Sequence, residues 1–223
     1  MCIRDRLGSG SGVPTPHRNQ PAIHIRYCGD RFLWDCGEGA QRQMLKAGLS
    51  IPKLDRVFIT HWHADHWAGL VGLLETLNLE GRERPLEIYG PEATRFVNGL
   101  ANLSPRGFGY QIIAVDVDHT LEQVVYEAKD YKIISIPVEH GLPAVGYCFL
   151  EKPKWNVDME RVRELGLEAG PWLERLKEEF EVIKRVIPIL GYRFLTDIEI
   201  TLTRTSNINY PTENIFIGYL AIV

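Results

Sequence analysis

Apolar and polar positions along this chain alternate between two periods, and that alternation marks out its elements. Ala22-Ile-His-Ile-Arg26 and Arg31-Phe-Leu-Trp34 read as strands joined by a turn at Cys28-Gly-Asp30. Gly39 to Ala47 reads as a short helix closed by Gly48. Arg56-Val-Phe-Ile-Thr60 is a short continuous apolar run of the buried-strand type. Trp67 to Leu79 carries apolar residues at helical spacing and stops at Gly81. Leu86-Glu-Ile-Tyr89 reads as a strand and Glu92 to Leu103 as a helix. Lys132-Ile-Ile-Ser-Ile136 is a further strand that runs into Pro137-Val-Glu-His140. Strands alternating with helices imply a layered α/β domain. No repeat of fixed period is evident.

Composition narrows the class. The 223 residues suffice for one domain with a substantial core, or two small ones. With 45% hydrophobic and 24% charged residues the chain resembles an ordinary water-soluble protein. No apolar run is long enough to span a membrane and no signal peptide is read. Cys2, Cys28, Cys36 and Cys148 are scattered without a CxxC pair, so they read as reduced thiols of a cytoplasmic protein. A net charge of -4 gives no global attraction to nucleic acid, and any such partner must meet a local basic patch.

Both ends differ from the middle. Met1-Cys-Ile-Arg-Asp-Arg6 has no turn, cap or periodic logic leading into the glycine run after it. It resembles what a transposon-end sequencing adaptor would encode, so residues 1–6 are expected to be an adaptor scar and are left out of fold reasoning. Between Pro188 and Val223 there is neither lysine nor histidine, and Ile, Thr, Asn, Tyr and Leu dominate. That composition reads equally as terminal β-strands or as an out-of-frame tail.

The chemistry concentrates in Thr60-His-Trp-His-Ala-Asp-His66. Residues two apart in extended chain point the same way, so His61 and His63 can face one metal ion together. Asp65 and His66 follow where the chain turns toward the next helix, and can face an adjacent position. The cluster lies at the end of an apolar strand, where α/β proteins place their ligands. A lone histidine there would be an ordinary surface residue; HxHxDH directly after a buried strand reads as a metal site. His17, His24 and His119 lack partners at ligand spacing. Gly8, Gly10 and Gly12 form a turn whose amides are candidates to approach a phosphate. Asp35, between a strand and Gly37, reads as a buried acceptor that holds the metal loop.

HxHxDH resembles the signature of the metallo-β-lactamase fold, an αββα sandwich with a metal pair at one edge. Other segments resemble one family within it, ribonuclease Z, the tRNA 3′-processing endonucleases. Leu7-Gly-Ser-Gly-Ser-Gly-Val-Pro-Thr-Pro-His-Arg-Asn19 is similar to that family's amino-terminal loop, and Trp34-Asp-Cys-Gly-Glu-Gly-Ala-Gln-Arg-Gln43 to its DCGEGTQRQ segment. Thr60 to Leu70 resembles its metal loop, and Val138-Glu-His-Gly-Leu-Pro-Ala-Val-Gly-Tyr147 its third motif. The resemblance runs from about Leu7 to about Leu176. It implies that His61, His63 and His140 bind one zinc and that Asp65 and His66 bind a second. It also gives Asp65 a catalytic part, orienting or deprotonating the attacking water. A coordinated carboxylate takes a proton only through its free oxygen, which leaves that share open. Precursor tRNA is the implied substrate, a homodimer the implied assembly and the cytoplasm the implied location.

On this resemblance residues 7–187 form the metallo-β-lactamase-like domain, and residues 151–179 are an arm that grips tRNA. Lys152, Lys154, Arg161, Arg163, Arg175 and Lys177 would meet phosphates there. Acidic residues outnumber them, and a solvated helix around Met159 to Leu165 is the other reading. Residues 188–223 form the divergent tail. The family carries a bridging Asp in a Gly-Asp-Thr setting, a His-Glu-Ala-Thr segment and a late His after the arm. Here no histidine follows His140, and the single late aspartate, Asp197, stands in Leu-Thr-Asp-Ile. Asp197 is the one candidate for the bridge. The sandwich is therefore expected to be incomplete in its second half, with one tight zinc. Three functions fit: a precursor-tRNA endonuclease, a related metallo-hydrolase acting on another ester, and an inactive metal-binding fragment of such an enzyme.

Overall fold

The computed structural model describes residues 3–152, 155–157, 163, 168, 170–171, 202–204 and 217–219. The chain divides into two compact units, Met1–Leu150 with Ile215–Val223, and Glu151–Asn214.

In the first unit, β1 (Ile3–Gly8), β2 (Ala22–Tyr27), β3 (Asp30–Trp34), β4 (Arg56–Phe58), β5 (Leu86–Gly90) and β6 (Ile112–Asp116) form one sheet in chain order. It is antiparallel from β1 to β3 and parallel from β3 to β6. Parallel neighbours need a crossover. The crossovers carry α1 (Ala40–Lys46), α2 (Ala64–Trp67) with α3 (Leu70–Leu79), and α4 (Ala93–Ala101). A second sheet holds β7 (Gln123–Glu127), β8 (Tyr131–Pro137), β9 (Val145–Glu151) and β12 (Ile217–Tyr219) in the order β12-β9-β8-β7.

Successive strand residues point to opposite faces, and both faces of the central strands are covered. Leu33, Val57, Ile59 and Ile88 face one way, onto Met44 of α1, Leu70, Leu73, Leu74 and Leu77 of α3, and Val97 and Leu100 of α4. Phe32, Trp34, Phe58 and Tyr89 face the other way, onto Tyr131, Ile133, Val145, Tyr147 and Phe149 of the second sheet. This explains why the Arg56–Thr60 run is apolar without alternation. The intersheet layer is largely aromatic, with Phe58 stacked on Tyr89 and Tyr131 on Phe149. Each such burial contributes roughly 1.5–3 kcal/mol, so this layer does much to clamp the two sheets together. On the outer face of the second sheet Ile134, Cys148 and Leu150 form a smaller cluster with Ile136.

In the second unit β10 (Trp155–Val157) pairs antiparallel with β11 (Leu202–Arg204). This unit begins at Glu151, where the arm was expected to begin. Most of residues 151–179 and 188–223 lie outside the described residues, so the arm and the divergent tail stand as proposals. The two short strands β11 and β12 fall in the tail. A ladder makes few demands on side chains beyond β-branched and aromatic character, and such pairing is compatible with either reading of it.

Three features differ from the pattern expected. Residues 3–6, left out of fold reasoning as an adaptor scar, pair in the first sheet: Ile3 with Arg26, Arg4 with Ile25, Asp5 with His24 and Arg6 with Ile23. An edge strand is held by backbone bonds, which foreign side chains do not prevent. The helix expected from Trp67 to Leu79 starts earlier, at Ala64, and breaks into α2 and α3 at Ala68-Gly69. At Gly69 a Cβ would overlap the carbonyl oxygen of Gly37, and the Gly69 N–H donates to Cys36 O at 2.8 Å rather than back into α2. Third, β6, β7 and β9 complete the sheets without having been recognised as strands.

Candidate metal centre

The metal loop begins where β4 ends. Ile59 still bonds to the sheet, its N–H donating to Tyr89 O at 2.8 Å, and Thr60 O accepts from Val145 N–H at 2.9 Å. From there the chain runs extended to His63, which precedes α2 with φ -69° and ψ 142°. Extended geometry puts His61 and His63 on one side and Trp62 on the other. Trp62 is buried in the helix-side core, stacked on Phe96 at 4.4 Å, and its indole N–H donates to Pro91 O.

His140 arrives from the loop between β8 and β9, 77 residues away, and its Nε2 lies 3.0 Å from His63 Nδ1. Ligand atoms of His61, His63 and His140 all lie within 4.8 Å of one another. The three rings sit 4.7–4.9 Å apart in edge-on pairs. Nitrogens on a tetrahedral zinc at about 2.0–2.1 Å stand roughly 3.3 Å apart. The histidine set therefore fits one divalent ion. His66 is next to it, its ring 4.0 Å from that of His61. His66 Nε2 lies 3.5 Å from Asp65 Oδ2, which places a second pair of donors beside the triad.

What aims these donors is Asp35. It is fully buried and turns the chain out of β3 with φ +55°, a conformation in which aspartate is among the more tolerated residues. Its carboxylate accepts from Thr60 N–H at 2.9 Å and from the Thr60 hydroxyl at 3.0 Å. It also accepts from His66 Nδ1 at 2.8 Å. Thr60 Oγ1 is in turn 3.0 Å from His61 Nδ1. With each Nδ1 engaged, the Nε2 atoms of His61 and His66 are left to face an ion. The segment after Asp35 braces the loop from below: Cys36 N–H donates to His66 O at 2.7 Å and Gly69 N–H to Cys36 O at 2.8 Å. At Gly37 a Cβ would overlap Asp65 O, so only glycine allows this approach.

Electrostatics prepare the cluster for a cation. Burial, with added repulsion from His66, His140 and His63, lowers the His61 pKa to about 3, so its ring is neutral at ordinary pH. Burial also works against charge on His66. The hydrogen bond to Asp35 and the charges of Asp35 and Asp65 outweigh it, and the His66 pKa is raised.

Placement of the other candidates is uneven. Lys152 is half-buried and Arg163 exposed, whereas Lys154, Arg161, Arg175, Lys177 and Asp197 lie outside the described residues. Within the glycine turn the Gly10 N–H is already engaged, donating with Ser9 N–H to Asn19 O. Sequence reasoning missed Thr60 as the link between Asp35 and His61; its one signal was a hydroxyl directly before a candidate ligand. Among the described residues no helix is long and apolar enough to cross a membrane.

The sandwich and its histidine–aspartate loop define a protein of the metallo-β-lactamase fold. Ribonuclease Z of Pyrococcus abyssi is 40% identical over 216 residues, 94% of this chain and 68% of that protein. Ribonuclease Z of Methanococcus maripaludis strain C5 is 35% identical over 214 residues, 96% of this chain and 64% of that protein. The chain belongs to the ribonuclease Z family. It spans about two thirds of the length of these relatives. The crystal structure of the short form of human tRNase Z is similar, with a TM-score of 0.62 and 29% identity over 69% of this chain and 66% of that one. A family model described as anti-Pycsar protein Apyc1 matches residues 5–96.

Proposed function

We propose that this chain carries the metal loop of a zinc-dependent endoribonuclease that removes 3′ trailers from precursor tRNA in the cytoplasm, as a homodimer. The observation that carries the reading is the convergence of His61, His63 and His140, with Asp65 and His66 alongside. His61, His63 and His140 would hold one ion, and Asp65 and His66 would contribute to a second. A bound metal pair supplies charge to the attacking and leaving oxygens of a phosphodiester and lowers the pKa of water.

The chain's own residues do the rest. Asp35 and Thr60 hold two imidazoles by their Nδ1 atoms, so little reorganisation is needed when substrate arrives. Asp65, at the first turn of α2, presents a carboxylate to orient or accept a proton from the attacking water. Lys152, Lys154, Arg161, Arg163, Arg175 and Lys177 would meet tRNA phosphates. Deleting residues 151–179 from an active form should then weaken pre-tRNA binding and flatten its salt dependence, with small-phosphodiester turnover nearly unchanged. Equal loss on both substrates would mean that this segment supports the fold.

A second reading, an inactive metal-binding fragment, is favoured by the absence of any histidine after His140. Pre-tRNA cleavage and aryl-phosphodiester turnover, each with added zinc and with His63→Ala as control, separate the readings. Cleavage lost in the variant supports the nuclease. Turnover of the aryl ester without RNA cleavage points to another ester, and zinc binding without turnover to the fragment.

A further inference from the structure

Between the glycine turn and the metal loop lies a side chain with no part in the chemistry described above. Gln20 is 5% exposed and uses both ends of its carboxamide. Its Oε1 accepts from Glu38 N–H at 2.8 Å, and its Nε2 donates to Gly12 O at 3.1 Å. Asn19 reinforces the same junction, with Nδ2 donating to Glu38 O at 3.1 Å and Oδ1 accepting from Gln43 Nε2 at 3.0 Å. Gly37 N–H donates to Pro21 O at 3.0 Å. The outer loop, exposed from residue 11 to 18, is thereby fastened to residues 36–38.

Those residues are the ones that brace the second half of the metal loop. Gly37 packs closely on both neighbours: a Cβ there would meet both Asp65 O and, at 2.5 Å, the Gln20 Cβ. Cys36 N–H holds His66 O at 2.7 Å. Through its carboxamide Gln20 therefore holds Glu38, the residue next to the Gly37 that packs against the Asp65 carbonyl. The triad does not depend on this stack. His61 and His63 hang from the end of β4 through Thr60, whose partners are Asp35 and Val145, and His140 comes from the β8–β9 loop.

Resting on the metal-site reading above, we infer that Gln20 is a positioning residue for Asp65 and His66, pinning residues 36–38 against their backbone while leaving the histidine triad untouched. Both hydrogen bonds are part-buried, and truncation would remove the acceptor of Glu38 N–H and the donor to Gly12 O. The 36–38 segment would then keep its bonds to Pro21, Asn19 and His66 but lose the tether on Glu38 N–H, loosening its hold on the direction of the His66 ring and the Asp65 carboxylate.

The test uses the 223-residue chain loaded with zinc, in three forms: unsubstituted, Gln20→Ala and Gln20→Glu. Bound zinc is measured by elemental analysis, and the four imidazoles are followed by long-range proton–nitrogen NMR. The expected result for Gln20→Ala is displaced or broadened His66 ring signals, with His61, His63 and His140 unmoved and zinc content equal to that of the parent. Gln20→Glu keeps an acceptor for Glu38 N–H and should keep His66 at its parental position. His66 signals unchanged in Gln20→Ala would overturn the inference, as would equal displacement of all four rings in both variants, which marks a purely structural residue. Absence of zinc from the unsubstituted chain would instead overturn the metal-site reading itself.

Discussion

Removing the Asp35 carboxylate is the most informative single change in this molecule. In Asp35→Ala three donors lose their acceptor inside the core: Thr60 N–H, the Thr60 hydroxyl and His66 Nδ1–H. A buried donor left unpaired costs about 1–3 kcal/mol, but the three share one acceptor and their losses do not simply add. Deleting a buried charge also removes its own desolvation cost, which offsets part of the damage. The net loss should be about 3–5 kcal/mol, the range seen when one partner of a buried charged pair is removed. For a chain of this size that lowers the melting temperature by roughly 6–20 °C. Asp35→Asn separates stability from aim. It keeps the shape and one acceptor for Thr60, but its amide cannot both serve Thr60 and accept from His66 Nδ1–H. His66 is then driven to its other tautomer, with the proton on the nitrogen meant for an ion. Thermal unfolding of the metal-free chain, with zinc titration for both variants at about pH 7.5, roughly one unit above the unperturbed histidine value, reads the two effects apart. Asp35→Ala melting within about 2 °C of the parent, a change of about 0.5–1 kcal/mol, would refute the view that this carboxylate organises the loop.

Zinc content should be about one tight equivalent per chain, abolished by His63→Ala, because one complete set of three histidines is present; elemental analysis giving two would reveal further ligands in the tail. Stability of the metal-free chain should fall as pH drops below about 6.5. His61 and His24 have folded pKa values below the unfolded one, so the unfolded chain takes up their protons first. His66 works in the opposite sense: its raised pKa contributes stability that is full below about 6.5 and lost as pH rises through the folded value, so His66→Gln should remove the decline above about 6.5 and leave the slope of the acid-side loss unchanged. Urea titrations across pH 4.5–8 (~range spanning these transitions) check both signs, and a flat profile would contradict them. The 223-residue chain should be close to inactive on pre-tRNA, since losing even one group that stabilises the reacting oxygens commonly costs roughly 10²-fold or more. Robust cleavage abolished by Asp197→Ala would make Asp197 the bridging ligand, and an independent read of the gene beyond codon 180 tests whether the family's late segments are encoded there.

Local pattern was enough for the elements whose signal is local. The β2–β3 hairpin, α1, β4, β5 and α4 follow from turn residues and apolar spacing within about a dozen positions. The pairing of His61 with His63 is equally local, because extended chain sends alternate residues to one side. The strands that were missed have weaker local signals. Gln123–Glu127 is a half-exposed edge strand, and Val145–Leu150 is buried on both faces and shows no alternation. Only the tertiary structure could decide contacts made across the sandwich. It brings His140 to His63 over 77 residues and gives Asp35 to Thr60 and His66. It also interrupts the helix at Ala68-Gly69, where helical spacing alone would have continued, as the Gly69 N–H bonds to Cys36 O across the loop. Which donors can be present was written in residue types two or three apart; where their nitrogens point was decided by close backbone contacts between segments that the sequence keeps far from one another.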